Sequence, residues 1–312
     1  MGGCGEDRQC NVWPRTILPM HTLTLQTGEL RLRVSPTLGA SLLALDAHTA
    51  GGWAPILADT ERCDLAAASF LMVPYSNRVA DGAFRFDGRA VRLGNAENHA
   101  IHGEVRKRPW RVIEATTELA RLGFRSADHG GLSWPWAFDV EVEYALRGSC
   151  FSSVLRLTNR ADSPMPAGFG FHPYFVRDEP VRVRFGVRGI FPDVHGTRIP
   201  SGPAEIPDAE RDFSVERALP AASFMDFCAH GWDGRAGIAW PDRGLRIGIE
   251  ASPELGHLVF YNPPKPYFAL EPVSNANDGV NLLARGDPNS GVRVLMPGES
   301  FSARLDVRVQ RD

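Results

Sequence analysis

Alternation with a period of two constrains this chain more than any other feature. Phe138, Val140, Val142 and Tyr144 alternate with Asp139, Glu141 and Glu143. Phe301, Ala303, Leu305, Val307 and Val309 alternate with Ser302, Arg304, Asp306 and Arg308. Val181, Val183, Phe185 and Val187 do the same against Arg182, Arg184 and Arg188. Neighbouring side chains on a strand point to opposite faces, so each run reads as a strand with one dry and one wet face. The charged rows are then solvated strand faces rather than binding stripes.

Turn chemistry joins the runs. Phe84 and Phe86, then Asp87-Gly88, then Val91 and Leu93 make a hairpin signal, because a two-residue mirror-image turn needs positive φ. Leu23 and Leu25, the Thr27-Gly28 turn, then Leu30, Leu32 and Val34 make another. The 31 glycines and 24 prolines cut the chain into many short elements. No long stretch places apolar residues at helical spacing, so helical turns are expected at most around residues 61–68. The expected fold is all-β: one large antiparallel β-sandwich spanning 20–312, preceded by an irregular extension, 1–19, that adds little to it.

Charge and composition exclude several classes. At 43% hydrophobic and 23% charged, the chain has the profile of an ordinary soluble globular protein. A net charge of −3 argues against a nucleic-acid or anionic-membrane partner. No apolar run is long enough to span a bilayer. The N-terminus lacks a basic leader followed by an apolar stretch, so no signal peptide is expected. Cys4, Cys10, Cys63, Cys150 and Cys228 are odd in number, scattered and without C-x-x-C spacing, which fits a reduced, cytoplasmic setting. No sequence feature assigns an oligomeric state.

Polar chemistry interrupts the strands at a few places. Residues 167–175 (A-G-F-G-F-H-P-Y-F) set His172 among aromatic rings, with Gly168 and Gly170 where backbone could approach a ligand. Aromatic faces beside a polar handle suit a sugar; a strand entering the core with a hydrogen-bonded histidine is the plainer reading. Glu271 follows Phe268-Ala269-Leu270, where an unpaired carboxylate is costly to bury. It is either compensated by an arginine at a strand end or kept for its chemistry. Arg78 precedes the 87–88 hairpin, His99 and His102 sit in N-H-A-I-H-G, and Asp226, His230 and Asp233 share one further segment. A metal site ranks low, since His99 and His102 are three apart and no zinc spacing is present. Phosphate-loop, dinucleotide and G-x-S-x-G signatures are absent.

In order, N-R-V-A-D-G, N-H-A-I-H-G, G-F-H-P-Y-F, F-M-D and L-E-P-V-S-N resemble the aldose 1-epimerases (galactose mutarotases), from about Met20 to the C-terminus. The resemblance implies a large β-sandwich with a sugar cleft on one sheet and a small-molecule sugar substrate. It implies Glu271 as general base, His172 as general acid, and Asn77, Arg78, His102 and Asp226 as groups that hold sugar hydroxyls. A carboxylate would take the O1 proton while an imidazolium, stabilised by Asp226 or Glu271, protonates the ring oxygen. No metal, nucleotide or redox cofactor is implied. The chain departs from the best-known members by having G-F-H-P-Y-F where they have a T-N-H-x-Y-F type of segment. Residues 104–110 (E-V-R-K-R-P-W) are similar to relatives that act on hexose 6-phosphates, which makes Arg106, Lys107 and Arg108 candidate phosphate clamps. Alternating positions rarely converge, so a solvated turn is the favoured reading of that triplet. A non-catalytic carbohydrate-binding protein of the same fold is the remaining alternative, and the presence of both Glu271 and His172 counts against it.

Overall fold

A computed structural model describes residues 22–310, apart from 61, 62, 64, 95–98, 179, 221 and 222. The extension expected at 1–19 lies outside the described residues. Two large sheets dominate. One runs in the order Leu23–Gln26, Leu30–Ser35, Ser41–Thr49, Ser69–Met72, Gly170–Val176, Tyr267–Val273, His257–Asn262, Met225–His230 and Gly189–Ile190, with Gly52–Pro55 paired to Ser41–Thr49. The second is built around Phe138–Arg147, Cys150–Asn159, Ser300–Gln310 and Leu245–Ala251. The strand pairings in both are antiparallel.

The alternating runs fold as their pattern dictates. Along Ser300–Gln310 burial switches at each step from Phe301 to Val309, and Val140, Val142 and Tyr144 are buried on Phe138–Arg147. The dry faces meet between the sheets. Phe169 stacks on Phe301 with ring centroids 4.4 Å apart, and the Trp240 indole N–H donates to the Val176 carbonyl at 3.0 Å. Tyr144 donates its hydroxyl to the Ala40 carbonyl at 2.9 Å. Each fully buried large apolar side chain contributes about 1.5–3 kcal/mol relative to exposure.

Asp87 and Gly88 both adopt positive φ, 49° and 72°, between the strands Ala83–Phe86 and Arg89–Arg92, as the hairpin signal requires. Of the expected helical turns at 61–68, residues 61, 62 and 64 lie outside the described residues; Cys63 and Leu65 donate to the Asp59 and Thr60 carbonyls. The 3-10 turns Ser126–Asp128 and Pro241–Arg243 were not expected, and neither was one short α-helix, Gly279–Ala284. It buries Val280 and Leu282, and Asp278 at its start accepts from the Ala80 N–H at 3.0 Å while donating its own N–H to the Arg78 carbonyl at 2.7 Å. Six residues are too few for a 3.6-residue period to stand out in sequence. None of the described helices is long and apolar enough to cross a membrane.

A small ribbon pairs Arg78–Ala80 with His99–Ile101 and delivers two candidate site residues to the first sheet. It is held by Gly103, at φ +69°, which pairs with Val73. A Cβ there would lie 2.1 Å from the Val73 carbonyl oxygen, whereas one at Gly88 would meet nothing within 4 Å. Gly88→Ala should therefore cost only the left-handed penalty, about 1–2 kcal/mol. Gly103→Ala should cost roughly 1–3 kcal/mol more, from overpacking against backbone. Denaturant unfolding of the two variants checks this, and equal losses would contradict it.

Candidate active site

The outer face of the first sheet carries its own small apolar floor, including Phe70, Met72, Val259 and Val273, separate from the inter-sheet core. Two polar side chains stand in that floor. His172 pairs with Phe70 on one neighbouring strand. On the other side, the pairs Gly170 with Val273 and Tyr174 with Ala269 bracket the step at which His172 faces Glu271. Side chains opposite each other on adjacent strands are within contact distance, so the register alone brings the two together. His172 Nε2 lies 3.2 Å from Glu271 Oε1, with the side chains 6% and 2% exposed. The Phe70 ring stacks on the His172 ring at 4.4 Å, and Tyr174 lies on its other flank at 4.5 Å.

Burial governs the protonation of this pair. It pushes His172 down to about 3, with the Arg106 and Arg78 guanidiniums acting in the same direction. It pushes Glu271 well above the ordinary carboxylate value, an effect increased by Asp226 and opposed by Arg78. Desolvation disfavours either charged form, so burial favours a neutral carboxyl beside a neutral imidazole. The imidazolium expected from sequence is therefore disfavoured, by burial first and by the two guanidiniums as well. The pair that burial favours holds one titratable proton and no net charge, whichever atom carries it. Glu271 Oε2 and His172 Nδ1 are buried without a hydrogen-bond partner among the described residues. Nor does Glu271 ion-pair with an arginine there, as the structural reading of this residue had it.

The walls hold most of the other candidates. Arg78 donates through Nη1 to Asn77 Oδ1 at 3.0 Å, and Asn77, at φ 49°, accepts the His102 N–H on its carbonyl at 2.8 Å. His102, itself at φ 64°, presents its ring edge-on to His172 at 5.1 Å. Burial drives its value well below 6.5, and Nδ1 has no partner among the described residues. His99 does not join it; its Nδ1 accepts from the Asp81 N–H. Arg106, Lys107 and Arg108 all line one cavity with Tyr75 and Glu104. Arg106 turns inward with its guanidinium carbon 5.3 Å from the Phe70 ring centre, while Arg108 donates to the Gly130 and Gly131 carbonyls at 2.8 and 3.0 Å. Among the described residues, no group of three or more His, Cys, Asp or Glu could hold a metal ion.

Asp226, two strands from Glu271, lies 2.9 Å from Arg198 Nε through its Oδ2. Arg198 also pairs with Asp193 at 2.6 Å. Sequence reading gave no hint of Arg198 or of the ring of Phe70, since both reach the site by long-range pairing. Two of its readings are corrected. Gly168 and Gly170 do not make room for a ligand: a Cβ would fall 2.1 Å from Asn275 Oδ1 at the first and 2.5 Å from Val273 Cγ1 at the second. Of the aromatic residues in 167–175, Phe169, Phe171 and Phe175 belong to the inter-sheet core, leaving Tyr174 beside His172.

The family described as Aldose 1-epimerase matches residues 21–308. YphB, an uncharacterized protein of Escherichia coli K12, is 27% identical over 307 residues, covering 93% of this chain and 99% of its own. An aldose 1-epimerase of the same organism is 28% identical over 110 residues, 33% of this chain and 31% of that one. A solved Escherichia coli K12 structure, provisionally assigned as an aldose 1-epimerase, superposes with a TM-score of 0.82 at 24% identity, over 94% of this chain and 100% of that chain. It shares the fold.

The electrostatics can be read directly. In nitrogen-15 NMR, the His172 and His102 rings should stay neutral on acidification to about pH 5, far below the ~6.5 midpoint of a free imidazole. A His172 midpoint near that ordinary value would overturn the one-proton description.

Proposed function

The chain belongs to the aldose 1-epimerase family, and we propose that it interconverts the α and β anomers of an aldohexose by acid–base ring opening and closure. The observation that carries this reading is the buried His172–Glu271 contact, with Oε2 of the carboxyl left without a partner among the described residues. Glu271 takes the proton from the anomeric O1–H as the C1–O5 bond breaks, and His172 gives a proton to O5. The products are an open-chain aldehyde and a hydroxyl. Rotation about C1–C2 exposes the other carbonyl face, O5 attacks, and both protons return. Nothing is consumed.

The proton count explains why these groups suit the task. Before opening, the pair must be carboxylate and imidazolium; after opening it is carboxyl and neutral imidazole. Both states hold one proton, so the neutral form favoured by burial is the one competent for closure. Arg78 favours the ionised carboxylate, and sugar hydroxyls replacing lost water on Glu271 act in the same sense. Asn77, Arg78, His102 and Asp226 hold the remaining hydroxyls. An unphosphorylated sugar fits best, because a phosphate dianion takes several converging donors and Arg108 of the basic triplet is committed elsewhere.

Polarimetry on freshly dissolved α-D-glucose or α-D-galactose tests the activity; no acceleration over buffer with any aldose would sink it. Glu271→Gln and His172→Asn should each lower kcat by ~10² or more, the low end for a positioned proton-transfer group. The carboxyl's value is raised on folding, so above the unfolded value near ~4.3 it increasingly opposes the folded state as pH rises. Glu271→Gln should therefore match or exceed the wild-type melting temperature at neutral pH while losing activity. A folded Glu271→Gln protein with near-normal kcat would exclude Glu271 as the base.

A further inference from the structure

We propose that the end of the sugar remote from C1 is read by Arg198 and Asn277 acting together with Asp226, in a cavity between the Met225–His230 strand and the loop 193–200. The mutarotase reading supplies the direction in which the sugar points; the cavity and its polar atoms stand without it. The cavity measures about 270 Å³, with Cys228, Phe191 and Phe224 among its lining residues. The Arg198 guanidinium carbon lies 5.6 Å from the centre of the Phe224 ring, which remains 54% exposed at the cavity.

Polar atoms of both kinds meet there. Asp226 uses Oδ2 toward Arg198 Nε, which leaves Oδ1 outside that contact as an acceptor. Arg198 uses Nη1 toward Asp193, which leaves Nη2 outside both ion pairs as a donor. Asn277 donates through Nδ2 to the Arg198 carbonyl at 2.9 Å. Its Oδ1 is buried with no partner among the described residues, on a residue only 2% exposed. An acceptor, a donor and a second acceptor along one cavity match adjacent sugar hydroxyls, each of which both donates and accepts.

Placement and rigidity agree with this role. One strand, His257–Asn262, separates the Glu271 strand from the Asp226 strand. Two inter-strand spacings are ~10 Å, roughly the span of a pyranose built of ~1.5 Å bonds with a hydrogen bond at either end. The loop is braced rather than loose: Asp193 pairs with Pro200, the Val194 N–H donates to the Ile199 carbonyl, and Asp193 Oδ2 accepts the Arg198 N–H. Arg198 sits at φ 66°, a left-handed backbone that a side-chain-bearing residue keeps only where its surroundings hold it.

The test is calorimetric binding of 1,5-anhydroglucitol, 1,5-anhydrogalactitol and their singly deoxygenated forms, none of which has an anomeric centre to react. Wild type should lose about tenfold in affinity when the hydroxyl facing Arg198 is removed. Arg198→Gln should weaken the parent anhydrosugar by a similar factor, and should bind that one deoxy analogue no worse than wild type does. Arg198→Lys keeps a positive charge beside Asp226 but loses the fork, and should show the same collapse; it carries the test should the glutamine variant not fold. Uniform weakening of parent and every analogue would make Arg198 a structural prop and overturn the proposal. So would unchanged affinities in both variants, or no binding of either parent sugar to wild type. Mutarotation is followed separately: the collapse without catalysis refutes the proposed reaction alone, and catalysis with uniform weakening refutes this subsite alone.

Discussion

A buried carboxyl and a buried imidazole meet at 3.2 Å, and the surrounding architecture is arranged around that contact. Either group alone would be costly to bury charged. Together they remain neutral as a unit while the proton sits on one side or the other. A proton donor and acceptor of this sort suits a reaction in which one oxygen gives up a proton as another receives one. The burial that pushes His172 down and Glu271 up is therefore compatible with their proposed roles, because the chemistry needs a constant proton count rather than two independent charges.

Keeping the contact in place takes a scaffold that cannot slip. A shift of one residue in the pairing of Gly170–Val176 with Tyr267–Val273 would turn one of the two groups toward the inter-sheet core and leave them on opposite faces. The register is fixed from below by Phe171 and Leu270, buried on the opposite face. It is fixed at one end by Gly170, whose missing side chain admits Val273, and at Gly168 by Asn275. The Asn275 amide in turn accepts from Ser76 N–H at 3.2 Å, next to the Asn77–Arg78 wall. Wall, floor and the His172–Glu271 contact are thus tied through one short polar loop, residues 274–278.

Much of this was legible in the sequence, for a physical reason. Period-two alternation and a two-residue turn such as Asp87-Gly88 are local signals, and the strands they announce are present. Glu271 and His172 stood out because each is a polar group in an apolar strand. Their partnership, however, depends on register between segments about a hundred residues apart, which no local pattern encodes. The same limit hid Phe70 and Arg198. Gly168 and Gly170 were misread because a glycine announces only that something comes close. Whether that is a ligand or a neighbouring side chain is decided in three dimensions. The basic triplet lies in a turn and lines one cavity, with Arg106 inward over Phe70, because the alternation rule used for it applies only to strands.

The shared proton is tested most directly by the pH dependence of kcat/KM for mutarotation of a single anomer, with circular dichroism confirming that the protein stays folded. Adding a second proton to the pair removes the base, and losing the last removes the acid, so the profile reports two macroscopic values of the pair. The account predicts an acid limb with its midpoint near about 3, where burial has placed His172, and an alkaline limb set by the raised carboxyl. Midpoints near ~4.3 and ~6.5, the values of an isolated glutamate and histidine, would show two independent charges and contradict it.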